Sequence, residues 1–212
     1  RIGLAVMGAV GVDMGSLNGY IALMFYYVLI CACIYALHLG SFAVSRESVD
    51  KTYEFLFTKP RSRSHLLGIK VLAAYIYFAV FCLVSGAFVL LAVQTLGSGS
   101  GVEGEVMLCV LGVFFVGSMF LSLAACFSAY AMRPEKGAAL GNLAFLAAFV
   151  LGVVYNLLEK PGLLRLVSPI SYFPASELAE KTLSLPYSAL ALVLSGVFLV
   201  LAFRRFDKKD LL

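Results

Sequence analysis

The amino-acid sequence predicts an all-α, polytopic helical membrane protein, and three observations carry that prediction. Apolar residues make up 62% of the chain and charged residues 13%, the mean hydropathy is +0.98, and five long runs hold no Asp, Glu, Lys or Arg at all. A soluble domain of 212 residues needs a polar surface, whereas these runs must face lipid or one another.

The elements follow in order. Residues 1–19 begin with an apolar stretch, Ile2 to Val12, too short to span a bilayer, and end in Asp13, Gly15, Ser16, Asn18 and Gly19. They read as an interfacial segment and a turn. A membrane-spanning helix needs about 20 apolar residues. Five uncharged runs reach at least 18 residues: Tyr20 to Phe42, Val71 to Val93, Val106 to Met132, Gly137 to Leu158 and Pro186 to Phe203. One Asp, Lys or Arg at mid-span costs about 2.5–3.5 kcal/mol on insertion, so five runs without any are a strong signal. Residues 20–212 therefore form one transmembrane domain, with a loop at 43–70 and a second at 159–185.

The distribution of Lys and Arg predicts the orientation. Arg46, Lys51, Lys59, Arg61, Arg63, Lys70, Arg133, Lys136, Arg204, Arg205, Lys208 and Lys209 fall on one side, and only Arg1, Lys160, Arg165 and Lys181 on the other. The positive-inside rule makes loop 43–70, the turn at Arg133 to Lys136 and the C-terminus cytoplasmic in a cell-membrane protein. The N-terminal segment, Gly97 to Gly101 and loop 159–185 then face outward. The chain begins at Arg1 with no signal-peptide pattern, so an outward start predicts one further span upstream, six in all. The net charge of +4 does not indicate nucleic-acid binding, because the basic residues sit at the ends of apolar runs rather than along one polar face.

Motifs for chemistry inside the membrane are missing. No HExxH, GxSxG or paired acids occur within the spans, which argues against an intramembrane enzyme. The five cysteines, Cys31, Cys33, Cys82, Cys109 and Cys126, lie in apolar runs without metal-ligand spacing and read as packing residues. No metal site and no cofactor of the chain's own is predicted. The chain also lacks GxxxxGK[ST], so it has no phosphate-binding loop for ATP. Among polar residues in the spans, His38, Ser122, Asn142 and Asn156 are candidates to line a route for substrate. Hydrogen bonding between helices is the competing reading for each, His38 included. Gly137 and Gly141 form a GxxxG that permits close helix approach.

The loop at 43–70 carries the most informative pattern. Val49, Tyr53, Leu56 and Phe57 recur at i, i+4, i+7 and i+8, with Glu47, Asp50 and Glu54 mostly elsewhere on the wheel. This predicts a short amphipathic helix over 46–58 with Ser45 as N-cap and Pro60 as its stop. The pattern fits a helix lying in the membrane interface and equally a helix docking a cytoplasmic partner.

Glu47, Asp50-Lys51-Thr52, Glu54-Phe55-Leu56, Thr58-Lys59-Pro60 and Arg63 resemble the signature loop of type-2 ABC exporter permeases, E-x-x-x-x-T-x-E-x-L-L-x-x-P-x-S-R. Phe57 replaces a second Leu and Arg61 a small apolar residue. The resemblance extends to Gly19-Tyr20, Ser168-Pro169, Tyr172-Phe173 and the tail Phe206-Asp-Lys-Lys-Asp210. It implies a permease subunit, not itself an enzyme, paired with a second permease subunit as a homo- or heterodimer. A separate ABC ATPase subunit would bind ATP and Mg. In that family the loop helix is the coupling helix, which makes Glu47, Val49, Asp50, Thr52, Tyr53, Glu54, Leu56 and Phe57 the partner-binding residues. The outer loop, here 159–185, would cap the pathway with short helices broken by Pro161, Pro169, Pro174 and Pro186. An ATP-independent membrane scaffold or assembly factor is the other non-enzymatic reading.

Overall fold

The computed structural model describes residues 2–6, 8, 10–13, 15–50, 63–95, 101–131, 133–158, 162–180 and 182–206, and these contain helices and turns but no strand. In chain order the helices are α1 (Ile2–Val6), α2 (Leu17–Asp50), α3 (Arg63–Thr95), α4 (Glu103–Tyr130), α5 (Pro134–Leu157), α6 (Gly162–Val167), a 3-10 turn at Pro169–Ser171, α7 (Ala175–Ala179) and α8 (Leu185–Phe206). The five expected spans are α2, α3, α4, α5 and α8, each long and apolar enough to cross a bilayer. The protein is an all-α, multi-pass membrane protein. We call the end where α2 stops and α3 starts the basic end, and the opposite end, where α6 and α7 lie, the cap end.

Local chemistry sets the helix ends. Ser16 caps α2: its hydroxyl accepts the Gly19 N–H at 3.1 Å and donates to the Asp13 carbonyl at 2.9 Å. Before it, Gly8 and Gly11 turn the chain at φ 68° and 77°, where a side chain would be strained. Pro134 opens α5 with Glu135 in the first turn, and Arg204 and Arg205 close α8, each charge matching the helix dipole.

One boundary differs from the sequence reading. Ser45 is not an N-cap, because α2 continues unbroken to Asp50. The stretch from Ser45 to Asp50 holds no Gly or Pro, and extending an existing helix is easier than nucleating a new one. At 1.5 Å per residue the 34 residues of α2 measure about 51 Å, well beyond the roughly 30 Å hydrocarbon core.

α4 is the centre of the bundle. In its most apolar stretch 67% of residues are buried, against 22% for α3, α5 and α8. Apolar side chains gain little from leaving lipid for a neighbouring helix, so association depends on close contact between small residues. α4 meets α2 where Gly40 lies against the Leu121 carbonyl, and meets α3 where the Phe78 ring lies on Gly117. On α5, Gly137 packs on Ser128, and Gly141 packs on Leu37 and Ala124. α8 contributes the buried small residues Ala191, Ser195 and Ala202. Ring contacts fill the remaining space, among them Phe78 with Phe114 at 6.0 Å and Phe120 with Phe145 at 5.7 Å.

Gly117 and Gly196 give opposite expectations. A Cβ at Gly117 would enter the Phe78 ring, whereas a Cβ at Gly196 meets nothing within 4 Å. Gly117→Ala should destabilise the protein by about 1–3 kcal/mol through overpacking, and Gly196→Ala should leave the melting temperature in detergent essentially unchanged. Equal melting temperatures for the two variants would contradict the packing of α3 on α4.

Candidate functional site

α2 has two faces. Ile21, Phe25, Leu29, Cys33, Ala36 and Leu37 are buried in the bundle. Tyr20, Met24, Tyr27, Cys31, Ile34, His38 and Phe42 form an exposed stripe, spaced three or four residues apart. His38 is therefore not an interhelical hydrogen-bonding residue of this bundle. Its ring stacks on Phe42 at 5.9 Å along the same open stripe.

Asn142 is exposed on α5. Leu37 meets Gly141 where α2 and α5 cross, and His38 and Asn142 are the next residues on each. The two helices run antiparallel, so a one-residue step of about 100° on each turns both side chains to the same side of the crossing. The imidazole and the carboxamide thus share the open face of the α2–α5 pair.

The other two candidates lie elsewhere. Ser122 is buried on α4, where its hydroxyl donates to the Ser118 carbonyl at 2.8 Å and lies 2.6 Å from the Tyr75 hydroxyl of α3. Asn156 donates to the Ala5 carbonyl at 3.2 Å and ties α1 to the cap end of α5. Both hold helices together. Of the loop residues, Glu47, Val49 and Asp50 belong to the last turn and a half of α2. Thr52, Tyr53, Glu54, Leu56 and Phe57 lie outside the described residues. Among the described residues no group of three or more His, Cys, Asp or Glu could hold a metal ion.

The cap end holds a polar cluster that sequence reasoning missed. Arg165 of α6 donates from both terminal nitrogens to the Glu177 carboxylate of α7, each at 2.6 Å. It also donates to the Tyr172 carbonyl at 2.8 Å and to the Ser184 hydroxyl at 3.1 Å. Ser184 in turn donates to Glu177 at 2.7 Å, and the guanidinium lies 4.1 Å from the centre of the Tyr187 ring on α8. The pair is largely enclosed, the Arg165 and Glu177 side chains being 13% and 29% exposed. Burial, and then Tyr187, push the Tyr172 phenol above its ordinary pKa, so it stays a neutral donor to the Leu166 carbonyl at 3.0 Å. The available signal was Arg165 and Glu177, the two charges of the proline-broken loop that lie inside it, away from the Glu159-Lys160 and Glu180-Lys181 pairs near its ends.

The same segment seats on the spans, on α5 with the help of the Ser168 hydroxyl, which donates to the Ala148 carbonyl at 3.4 Å, and on α2 and α4 through apolar contacts. Ser168, Ile170 and Ser171 pack over Gly152 of α5, and Phe173 packs over Gly112 of α4. Ala175 and Leu178 join Phe173 against Ala22, Phe25, Leu29, Cys109 and Val113, around a void of about 10 Å³.

A family model described as ABC-2 family transporter protein matches residues 3–211. Comparison with curated proteins finds no match.

The Arg165–Glu177 pair should behave as a coupled unit. Arg165→Gln and Glu177→Gln should each cost about 2–4 kcal/mol, somewhat below the penalty for a fully buried pair because Glu177 is partly exposed. A double-mutant cycle in detergent unfolding should return a coupling of at least about 1 kcal/mol. Additive single effects would mean that the two side chains do not stabilise one another.

Proposed function

Because the chain belongs to the ABC-2 transporter family and is a membrane permease component of an ABC transporter, we propose that it is the permease subunit of an ATP-driven exporter. It works with a second copy of itself and a separate ATPase that binds ATP and Mg. The observation that carries this reading is the open face of α2 and α5. An imidazole at His38 and a carboxamide at Asn142 on membrane-spanning helices are costly against lipid tails, and such groups mark protein-covered or water-filled surfaces. Two copies related by a two-fold axis would enclose these faces and line a route with them.

The basic end supports the energy input. Its twelve Lys and Arg against four at the other end support the reading that it is the cytoplasmic side and carries the C-terminus. Residues 46–58 combine the apolar period of Val49, Tyr53, Leu56 and Phe57 with the family's signature loop, which suits a helix seated on the ATPase. α2 runs unbroken from residue 50 past His38 towards the cap end, so a displacement of this segment is carried along the whole span without an intervening hinge.

Two measurements test the proposal. Purification from native membranes should recover an ATPase, and Tyr53→Ala with Leu56→Ala should weaken its retention by about 1–3 kcal/mol per side chain, while the permease still inserts. Full retention would leave 46–58 as a helix lying on the bilayer. Native Cys31 sits on the open stripe of α2. A thiol-specific bifunctional reagent should therefore yield a covalent dimer that Cys31→Ala abolishes, and a monomer under all conditions would remove the second copy from this face.

A further inference from the structure

The segment from Gly162 to Tyr187 rests on α5, where the Ser168 hydroxyl donates to the Ala148 carbonyl at 3.4 Å, and on either side of that support it has two interfaces of different character. Towards the start of α8 it is polar and closed. Arg165 on α6, the Tyr172 carbonyl and Glu177 on the cap, and Ser184 and Tyr187 at the start of α8 converge on one guanidinium. Thr182 adds two bonds to the Glu177 carbonyl, from its N–H at 3.0 Å and its hydroxyl at 2.9 Å. Towards α2 and α4 the cap presents Phe173, Ala175 and Leu178 to Ala22, Phe25, Leu29, Cys109, Gly112 and Val113.

These interfaces respond differently to separation. In a bilayer, an apolar contact that opens is refilled by lipid tails or an apolar cargo at little cost. A bidentate, charge-assisted pair that opens strands two charges in a poorly solvated place.

From this contrast, and resting on the permease reading above, we propose that α6, the 3-10 turn, α7 and the first turn of α8 move as one body clasped by Arg165 and Glu177. The cap end opens along the apolar seat over α2 and α4, while the clasp stays closed. Arg165 and Glu177 are positioning residues for that motion.

Two thiols report on the two interfaces. Native Cys109 is buried on the seat, and Ser184→Cys places a thiol in the clasp. N-ethylmaleimide is applied to native membranes at rest and during hydrolysis of ATP with Mg, and modification of each site is read by mass spectrometry. Turnover should speed modification of Cys109 at least tenfold and leave position 184 at its resting rate. Faster modification at position 184, with or without Cys109, would overturn the proposal, as would no change at either. Recovery of the ATPase from the same membranes reports separately on the permease reading, so a missing partner and a motionless cap are different results.

A second arm does not disturb the clasp. A Cβ built at Gly112 lies 3.5 Å from the Phe173 Cβ, within disulfide range. In a Cys109→Ala background, Gly112→Cys with Phe173→Cys should lower ATP hydrolysis by the purified complex at least fivefold on oxidation, with recovery on reduction. Undiminished hydrolysis in the oxidised variant would show that the seat does not open.

Discussion

The close approach of α4 to its neighbours is the contact on which the rest of the structure depends. Lipid tails solvate leucine as well as another helix does, so the bundle is held by backbone proximity, packing of small side chains and a few hydrogen bonds. Gly40 against the Leu121 carbonyl, Phe78 over Gly117 and Gly137 against Ser128 fix three neighbours on one helix. Once α4 is surrounded, the remaining arrangement follows. α2 has one face committed and one left open, and Gly112 near the cap end of α4 becomes the floor on which Phe173 rests.

Packing also sorts the polar residues. Ser122, Ser195 and Asn156 each donate to a backbone carbonyl, Ser122 and Ser195 within their own helices and Asn156 across to α1. Tyr75 adds bonds from α3 to the Ser122 hydroxyl and the Ser118 carbonyl, joining two helices that also meet through apolar and aromatic contacts. His38 and Asn142 belong to the same chemical class and have the opposite fate, facing away from the bundle centre. A polar group in an apolar run is therefore informative only once its direction is known. Groups directed inward hold helices together, and groups directed outward ask what covers them.

The spans were legible in the sequence because insertion energetics demand long uncharged runs, a constraint that needs no knowledge of tertiary contacts. All five appear as α2, α3, α4, α5 and α8. The turn before α2 was legible for the same local reason, since Asp13, Ser16 and Gly19 supply their own hydrogen bonds. Ser45 misled because a residue suited to cap a helix is also tolerated inside one, and only the helix already in progress decides. His38 could not be placed from composition, since a helical face requires its neighbours to be known. The Arg165–Glu177 pair spans twelve residues, two prolines and a 3-10 turn, so its convergence is a tertiary fact, although an Arg and a Glu inside the loop were visible.

α2 connects the two ends of the molecule. At the basic end it continues past the expected hydrocarbon boundary to Asp50, and at the cap end Ala22, Phe25 and Leu29 form part of the seat beneath Phe173. Between them, Gly40 brings the α2 backbone onto the Leu121 carbonyl in a close crossing with α4. From that crossing, Asp50 is about 15 Å away along the helix and Phe25 about 22 Å. A stiff helix held at such a point converts a small tilt at one end into a larger opposite displacement at the other. In the proposed reading, movement delivered at residues 46–50 thus arrives at the apolar side of the cap rather than at its clasp. It also shifts His38, two residues from the crossing, only slightly. The route-lining face would then keep its shape while the cap end opens, which suits a protein that must hold its cargo before releasing it.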